Sequence, residues 1–527
     1  MHNRLYSHIK NLLLPCVVFS MIAGFISAIL VTAFKLAAEE IIHLSGNIYA
    51  TARENVTLLP LIVLGTAAVG FVSSCILSKS RSCRGGGIPT SVAAVRGIIN
   101  FRWIASVVLL PFSALLSFLC GLPLGTEGPC VQMGTAIGSG VVSCLGTEEQ
   151  KGWRRYVMTG GAAAGFSIAT ASPISAIVFS MEELHKHFSP LLISVASVSV
   201  MTAEFTLQLL ALVGIKSSSL FNLPNISTIA PKLLFAPLLV GLVCGACSVL
   251  FTKLYHVVDK IVHGILKKLS IKLVFPVLFA FISIIGFFLA DTLGSGHSLV
   301  EILIQRKTVW YLIILVFLIR AVTMMISNTA GVTGGVFLPT LAFGAIIGSL
   351  CGEAMIALGW IGAEHYILMV ILGIVAFLGA TSRIPLTACV FAIEALAGIS
   401  NVLAIIIAAT VSFIVVELSE LEDFTDTMIA AKVRSINKGK KPWVIEVPLT
   451  AGENSFAVGK EIRDILWPNS CVVVSFERAG DNHGKVGVAE GDVITVHYKT
   501  INPAATAEEL KLLMGEQTEE INKIMIP

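Results

Sequence analysis

The chain has 527 residues, 55% of them hydrophobic and 13% charged, where soluble domains carry about 25% charge, and its mean hydropathy is +0.87. A net charge of +3 without basic patches interleaved with aromatics argues against nucleic acid as a partner. Eleven scattered cysteines, mostly in apolar segments, argue against disulfides or a metal-ligand set.

Taken in chain order, residues 12–34 form an apolar run too long for a signal-peptide core, and the first membrane helix is expected there. Residues 58–77, 191–213, 233–251, 310–326 and 402–418 also approach the ~20 residues that a crossing needs. Residues 135–144, 174–181 and 385–396 are shorter and bounded or broken by Gly or Pro. Half-length helices survive in a bilayer where protein or a polar cavity covers their ends, which favours a transporter or channel over an anchor. Arg4 and Lys10 before the first run, and Lys432, Arg434, Lys438, Lys440 and Lys441 after the last, predict that both ends are cytoplasmic. The composition turns polar near Glu417. Residues 1–435 read as the membrane domain, 436–442 as a linker and 443–527 as a small soluble α/β module. In that module strands are expected at 443–448, 471–476 and 493–498, and helices at 460–466 and 504–513.

The membrane part repeats itself. Gly125-Thr126-Glu127-Gly128-Pro129, then Gly134, Gly138 and Ser139, parallels Gly335-Val336-Phe337-Leu338-Pro339, then Gly344, Gly348 and Ser349, at an offset of 210 residues. Residues 173–182 parallel 385–394 at an offset of 212, sharing proline, alanine, valine, phenylalanine and a closing glutamate. Two matches at nearly one offset indicate two homologous halves, each giving a broken helix to a central site.

Three glycine loops carry the candidate chemistry. Glycines let backbone approach a ligand closely, and a helix starting there aims unpaired N–H groups at an anion. Gly125, Thr126 and Gly128 surround Glu127, whose carboxylate can itself fill an anion site and leave it on protonation. Val336 and Phe337 offer backbone N–H groups without a competing charge. Gly85, Gly86 and Gly87, followed by Ile88 and Pro89, can form a nest of amides. Taken singly, the first loop is also a capped helix start, and the others are also turns or connectors. His185 and His187 read as a solvated pair, since alternate residues of a helix do not face one way.

In these loops the chain resembles the CLC family of chloride channels and chloride/proton antiporters, whose signatures GSGIP, GREGP and GIFAP correspond to residues 85–89, 125–129 and 335–339. The resemblance implies an all-α polytopic inverted repeat of broken, tilted helices, assembled as a homodimer with one anion pathway per subunit. It implies that Glu127 is the external gating glutamate and Glu183 the internal proton relay. Glu182, Glu394 and Arg320 are then structural. Three departures bear on selectivity and coupling: Gly86 stands for the family's serine, Thr126 for its arginine, and Thr425 for the inner-gate tyrosine. The tail resembles the C-terminal subdomain of RCK/TrkA modules at Gly459-Lys460-Glu461-Ile462-Arg463, at 471–478 and at Glu490-Gly491-Asp492-Val493-Ile494. That implies a dimerising domain able to take a small regulator, such as a nucleotide or cyclic dinucleotide.

The expected function is exchange of chloride, or a similar monovalent anion, for protons, with no cofactor. A passive, voltage- or ligand-regulated anion channel is the alternative, favoured by Gly86 and Thr425 and opposed by Glu183. A fluoride/proton antiporter would be expected to lack Glu183. An enzyme would need a nucleophile or metal cluster beside its glutamates, and a potassium transporter a TVGYG-type filter; neither occurs.

Overall fold

The computed structural model describes residues 14–99, 101–146, 149–215, 220–221, 226–305, 309–396, 398–436, 443–452, 455–468, 471–480, 487–500 and 503–515. Arg4, Lys10 and the linker lysines 438, 440 and 441 lie outside the described residues. Nine described helices are long and apolar enough to cross a membrane. They include Ile271–Phe288, Phe337–Ala357 and Ala363–Thr381, which go beyond the six long runs read from the sequence. The last two are largely enclosed by protein.

The repeat is a repeat of helices. Glu127–Leu145 corresponds to Phe337–Ala357, Arg154–Thr170 to Tyr366–Thr381, Pro173–Phe179 to Pro385–Ala395, and Pro190–Leu212 to Val402–Glu417. Proline opens the third pair at its first helical position, where the missing N–H costs nothing.

Within each half the first two of these helices pack through glycine. A Cβ on Gly134 would lie 2.0 Å from the Gly161 carbonyl oxygen, and one on Gly161 would lie 2.1 Å from that of Gly134. The second half does the same with Gly344 and Gly373, at 2.5 and 2.3 Å. Lipid supplies no hydrophobic force between helices, so close backbone approach through small residues must hold them.

The tail folds as a three-stranded antiparallel sheet in the order β1-β3-β2, with β1 at Trp443–Thr450, β2 at Cys471–Glu477 and β3 at Val493–Thr500. Val447, Leu449, Ile494, Val496 and Tyr498 alternate along β1 and β3 onto a buried face, and helix Pro503–Met514 contributes Ala507, Leu510, Leu513 and Met514 to the same core. The helix expected at 460–466 is absent. A single 3-10 turn, Ile462–Asp464, stands there. Docking explains the difference: the Tyr156 hydroxyl donates to the Asp464 carbonyl at 2.5 Å and accepts from the Leu466 N–H at 2.9 Å, the donor a helix over 460–466 would use internally. Arg155 adds bonds to the carbonyls of Leu466 and Trp467 at 2.8 and 3.0 Å. Phe456 stacks edge-on against Trp153. Lys460 lies under both rings, where burial pushes its ammonium down to about 7 while the ring faces favour the charged form.

Gly161→Ala should therefore overpack the helix pair and destabilise the protein by about 1–3 kcal/mol. Gly65→Ala, at a position with nothing within 4 Å of the new methyl, should not. Thermal midpoints in detergent, compared between the two variants, check this.

Candidate functional site

The two halves meet at their glycine loops. Gly125 and Gly335 exchange backbone hydrogen bonds of 2.7 Å in both directions, a minimal antiparallel bridge. Beside it a Cβ on Gly128 would lie 2.7 Å from the Gly335 Cα, and one on Gly87 would lie 1.9 Å from the Gly128 carbonyl oxygen. Three loops distant in sequence thus touch backbone to backbone. Gly85 has φ +79° and donates its N–H to the Gly331 carbonyl at 3.0 Å, so it ties the first loop to the second half. Lys432 reaches the same loop from below. Its Nζ donates to the carbonyls of Ser82 and Arg84, at 3.3 and 2.9 Å, and to the Thr90 hydroxyl. Ile88 and Pro89 are buried in the helix that follows.

Glu127 opens helix Glu127–Leu145 and is 1% exposed. Its Oε1 accepts from the Thr126 hydroxyl at 3.3 Å. Oε2 lies against Gly125 and Leu338, close enough that a Cβ on Gly125 would sit 2.4 Å from it. The N–H groups of Glu127 and Leu338 are the nearest backbone donors, yet neither closes a bond of good geometry to Oε2. The carboxylate of the first half therefore fills the space at the helix start of the second, beside Val336 and Phe337. The Phe337 ring packs edge-on against Phe166 and Phe391, with centroids 5.2 and 5.8 Å away, and Phe166 stacks on Phe179 at 4.3 Å. Phe179 and Phe391 are equivalent positions of the repeat, so each half brings its copy of this aromatic to the cluster.

Glu183 sits on a π-helical turn, Ser180–His185, and is 2% exposed. The Thr425 hydroxyl is its hydrogen-bonding neighbour, and Oε2 is unpartnered. Arg96 fixes the turn through the carbonyls of Glu183 and Leu184, at 2.8 and 2.7 Å, and reaches Asp426 at 3.5 Å. Lys186 binds Asp423 and Asp426, both at 2.5 Å. The two histidines do face each other, with ring centroids 5.9 Å apart, and His185 bonds to the Thr159 hydroxyl at 2.8 Å. The expectation of diverging rings fails because the turn is π-helical and Lys186 has φ +56°, which folds the chain back.

Glu182 and Glu394 do something else. Glu182 accepts from the N–H groups of Leu386 and Thr387, at 3.0 and 2.6 Å, and Glu394 from those of Ile174 and Ser175, at 3.0 and 2.9 Å. Each glutamate caps the Pro-initiated helix of the opposite half, which makes the repeat reciprocal and antiparallel. Arg320 is fully buried and donates to the carbonyls of Asp291, Leu293 and Gly294. Sequence reasoning did not single out Arg96, Lys186, Asp423 or Asp426 for this site, and read Lys432 only as a topogenic charge. The Asp423 and Asp426 pair had a legible signal, an acidic cap opening a helix: Asp423 accepts the Asp426 N–H at 2.5 Å. Among the described residues, no group of three His, Cys, Asp or Glu is placed to hold a metal ion.

A family model described as voltage gated chloride channel matches residues 69–417. The H(+)/Cl(-) exchange transporter ClcA of Vibrio parahaemolyticus is 26% identical over 416 residues, covering 77% of this chain and 87% of its own. The transporter of the same name from Vibrio vulnificus is 28% identical over 344 residues, covering 64% and 73%. The crystal structure of a slow cyanobacterial Cl-/H+ antiporter superposes with a TM-score of 0.73 at 22% identity, over 80% of this chain and 99% of that one. A CLC-type fluoride/proton antiporter gives 0.62 at 20% identity, over 76% and 94%. These likenesses establish the inverted-repeat fold.

Replacing either capping glutamate by alanine should strand two helix-end donors and lower stability by about 0.5–2 kcal/mol. The ratio of any ions moved should stay unchanged in Glu182→Ala and Glu394→Ala. Melting curves and reconstituted flux, measured on the same preparations, check both statements.

Proposed function

Because the chain belongs to the voltage gated chloride channel family, we propose that it is a secondary active transporter exchanging chloride, or a similar monovalent anion, for protons. The single observation that carries the reading is the Glu127 carboxylate, buried between two helix starts with one oxygen unpartnered. A charge left half-satisfied in an apolar interior is poised to change its state or position. As a carboxylate, Glu127 fills the place an anion would take. Neutralised by a proton, it loses its attraction to the N–H groups there and vacates it. Gly85, Gly86, Gly87, Ile88, Pro89, Gly125, Thr126, Gly128, Val336, Phe337 and Thr425 would line the anion's route. Glu183, the second buried glutamate with an unpartnered oxygen, would bring protons from the cytoplasmic side. The exchange transporters among the relatives support this reading over a passive channel.

The protein would be a homodimer in an inner cell membrane. Lys432 and Arg434, following the last span, support a cytoplasmic tail. Residues 1–435 would be the transport domain and 443–527 a regulatory domain like the RCK/TrkA C-terminal subdomain, sensing a nucleotide or cyclic dinucleotide. The three strands and final helix near their expected positions support a compact α/β module in that role.

In proteoliposomes a chloride gradient should drive proton movement, and Glu127→Gln should remove the proton component while chloride still moves. Proton flux unchanged in that variant overturns the role of Glu127. Wild-type chloride flux without proton flux selects the channel instead. For the tail, Tyr156→Phe removes two bonds at the docking surface, each worth about 1 kcal/mol. Limited proteolysis should then release the tail fragment faster than in the wild type.

A further inference from the structure

We propose that the side-chain amide of Asn328 is an anion ligand of this pathway, supplying from helix Trp310–Ala330 the hydrogen-bond donor that Gly86 cannot. The inference rests on the anion-transport reading above and adds a specificity-determining residue to it.

Asn328 is 8% exposed, and its Nδ2 has no hydrogen-bond partner. Folded proteins leave few buried donors unpaired, and one that persists calls for a ligand or a function. The amide is also oriented. Its Oδ1 accepts from the Tyr255 hydroxyl at 3.1 Å, which turns Nδ2 the other way. Tyr255 is itself fixed: 1% exposed, with its ring edge-on to Phe424 at 4.7 Å.

Nδ2 points at the first glycine loop. A Cβ built on Gly86 would lie 3.0 Å from it and 3.8 Å from the Gly334 carbonyl oxygen. The donor thus stands where a side chain on residue 86 would stand, one residue from the Gly125–Gly335 bridge. Gly86 has φ −65° and ψ 135°, a conformation open to any residue. Its glycine therefore answers to space, and the Asn328 amide takes that space. The other polar group expected at the inner end, the Thr425 hydroxyl, is turned to Glu183. An amide N–H here suits a small, partly dehydrated halide, which accepts hydrogen bonds from any direction.

The test is a titration of the detergent-solubilised full chain with potassium chloride, read by calorimetry without a proton gradient. Losing one donor to a charged ligand should weaken chloride binding about ten- to hundred-fold in Asn328→Ala. The double variant Gly86→Ser with Asn328→Ala returns a hydroxyl to the vacated space and should recover most of that loss. Tyr255→Phe, which retains the ring packing and frees the amide to rotate, should give an intermediate loss even where the alanine variant is poorly folded. Chloride binding within twofold of wild type in Asn328→Ala overturns the proposal. So does a loss that the serine fails to restore in a variant with wild-type thermal stability. Because the titration reads anion binding alone, failure here and failure of proton exchange are separate results.

Discussion

The two 2.7 Å hydrogen bonds exchanged by Gly125 and Gly335 are the constraint on which the membrane part depends. They bring two helix starts, at Glu127 and Phe337, to one point from opposite halves. Any side chain on Gly87, Gly128 or Gly335 would meet backbone within 3 Å and push the loops apart. The glycine packing of Gly134 on Gly161 and of Gly344 on Gly373 then fixes how each of those helices leaves the junction. Irregular backbone at this depth is tolerable because protein, and not lipid, surrounds it.

Within that frame, the buried charges sort by how completely they are satisfied. Glu182 and Glu394 each accept from two backbone N–H groups, and Arg320 donates to three carbonyls through its terminal nitrogens while its Nε stays unpartnered. Such groups hold structure, and removing a partner leaves a costly unpaired charge. Glu127 and Glu183 differ from them, because each keeps one carboxylate oxygen without a partner. The asymmetry between halves follows. Where the first half places Glu127 at its helix start, the second places Phe337, whose ring packs on Phe166 and Phe391.

Much of this was legible in the sequence because it is written locally. Glycine spacing marks the loops, proline marks the starts of the short helices, and the offsets of 210 and 212 residues mark the halves. The tail strands were legible from alternation. What could not be read depends on contacts between distant segments. Nothing near Asn328 shows that Tyr255 will turn its amide toward Gly86. The π-helical turn at Ser180–His185 looks like ordinary helix in sequence, so the pairing of His185 with His187 was lost. The segment at 460–466 has helical character, and Tyr156, over three hundred positions earlier, claims its backbone. Capping by Glu182 and Glu394 was readable as a repeat but not as a reciprocal bond.

The tail and the helix that follows the first glycine loop share one side chain. Arg155 donates from Nε to the carbonyl of Val95 at 2.7 Å, the last residue of the short helix that follows the first loop. The same guanidinium binds Leu466 and Trp467 of the tail and reaches Glu509 at 3.9 Å. Its own helix, Arg154–Thr170, is the glycine-packed partner of the helix that Glu127 opens. A shift of the tail would have to break or drag bonds to a partly buried arginine, which on its other side holds the end of the helix after the first glycine loop. Backbone contacts at Gly134–Gly161 and Gly87–Gly128 have no slack to absorb such a shift. The tail is thus tied through Arg155 to both the short helix after the first glycine loop and the helix packed on Glu127–Leu145.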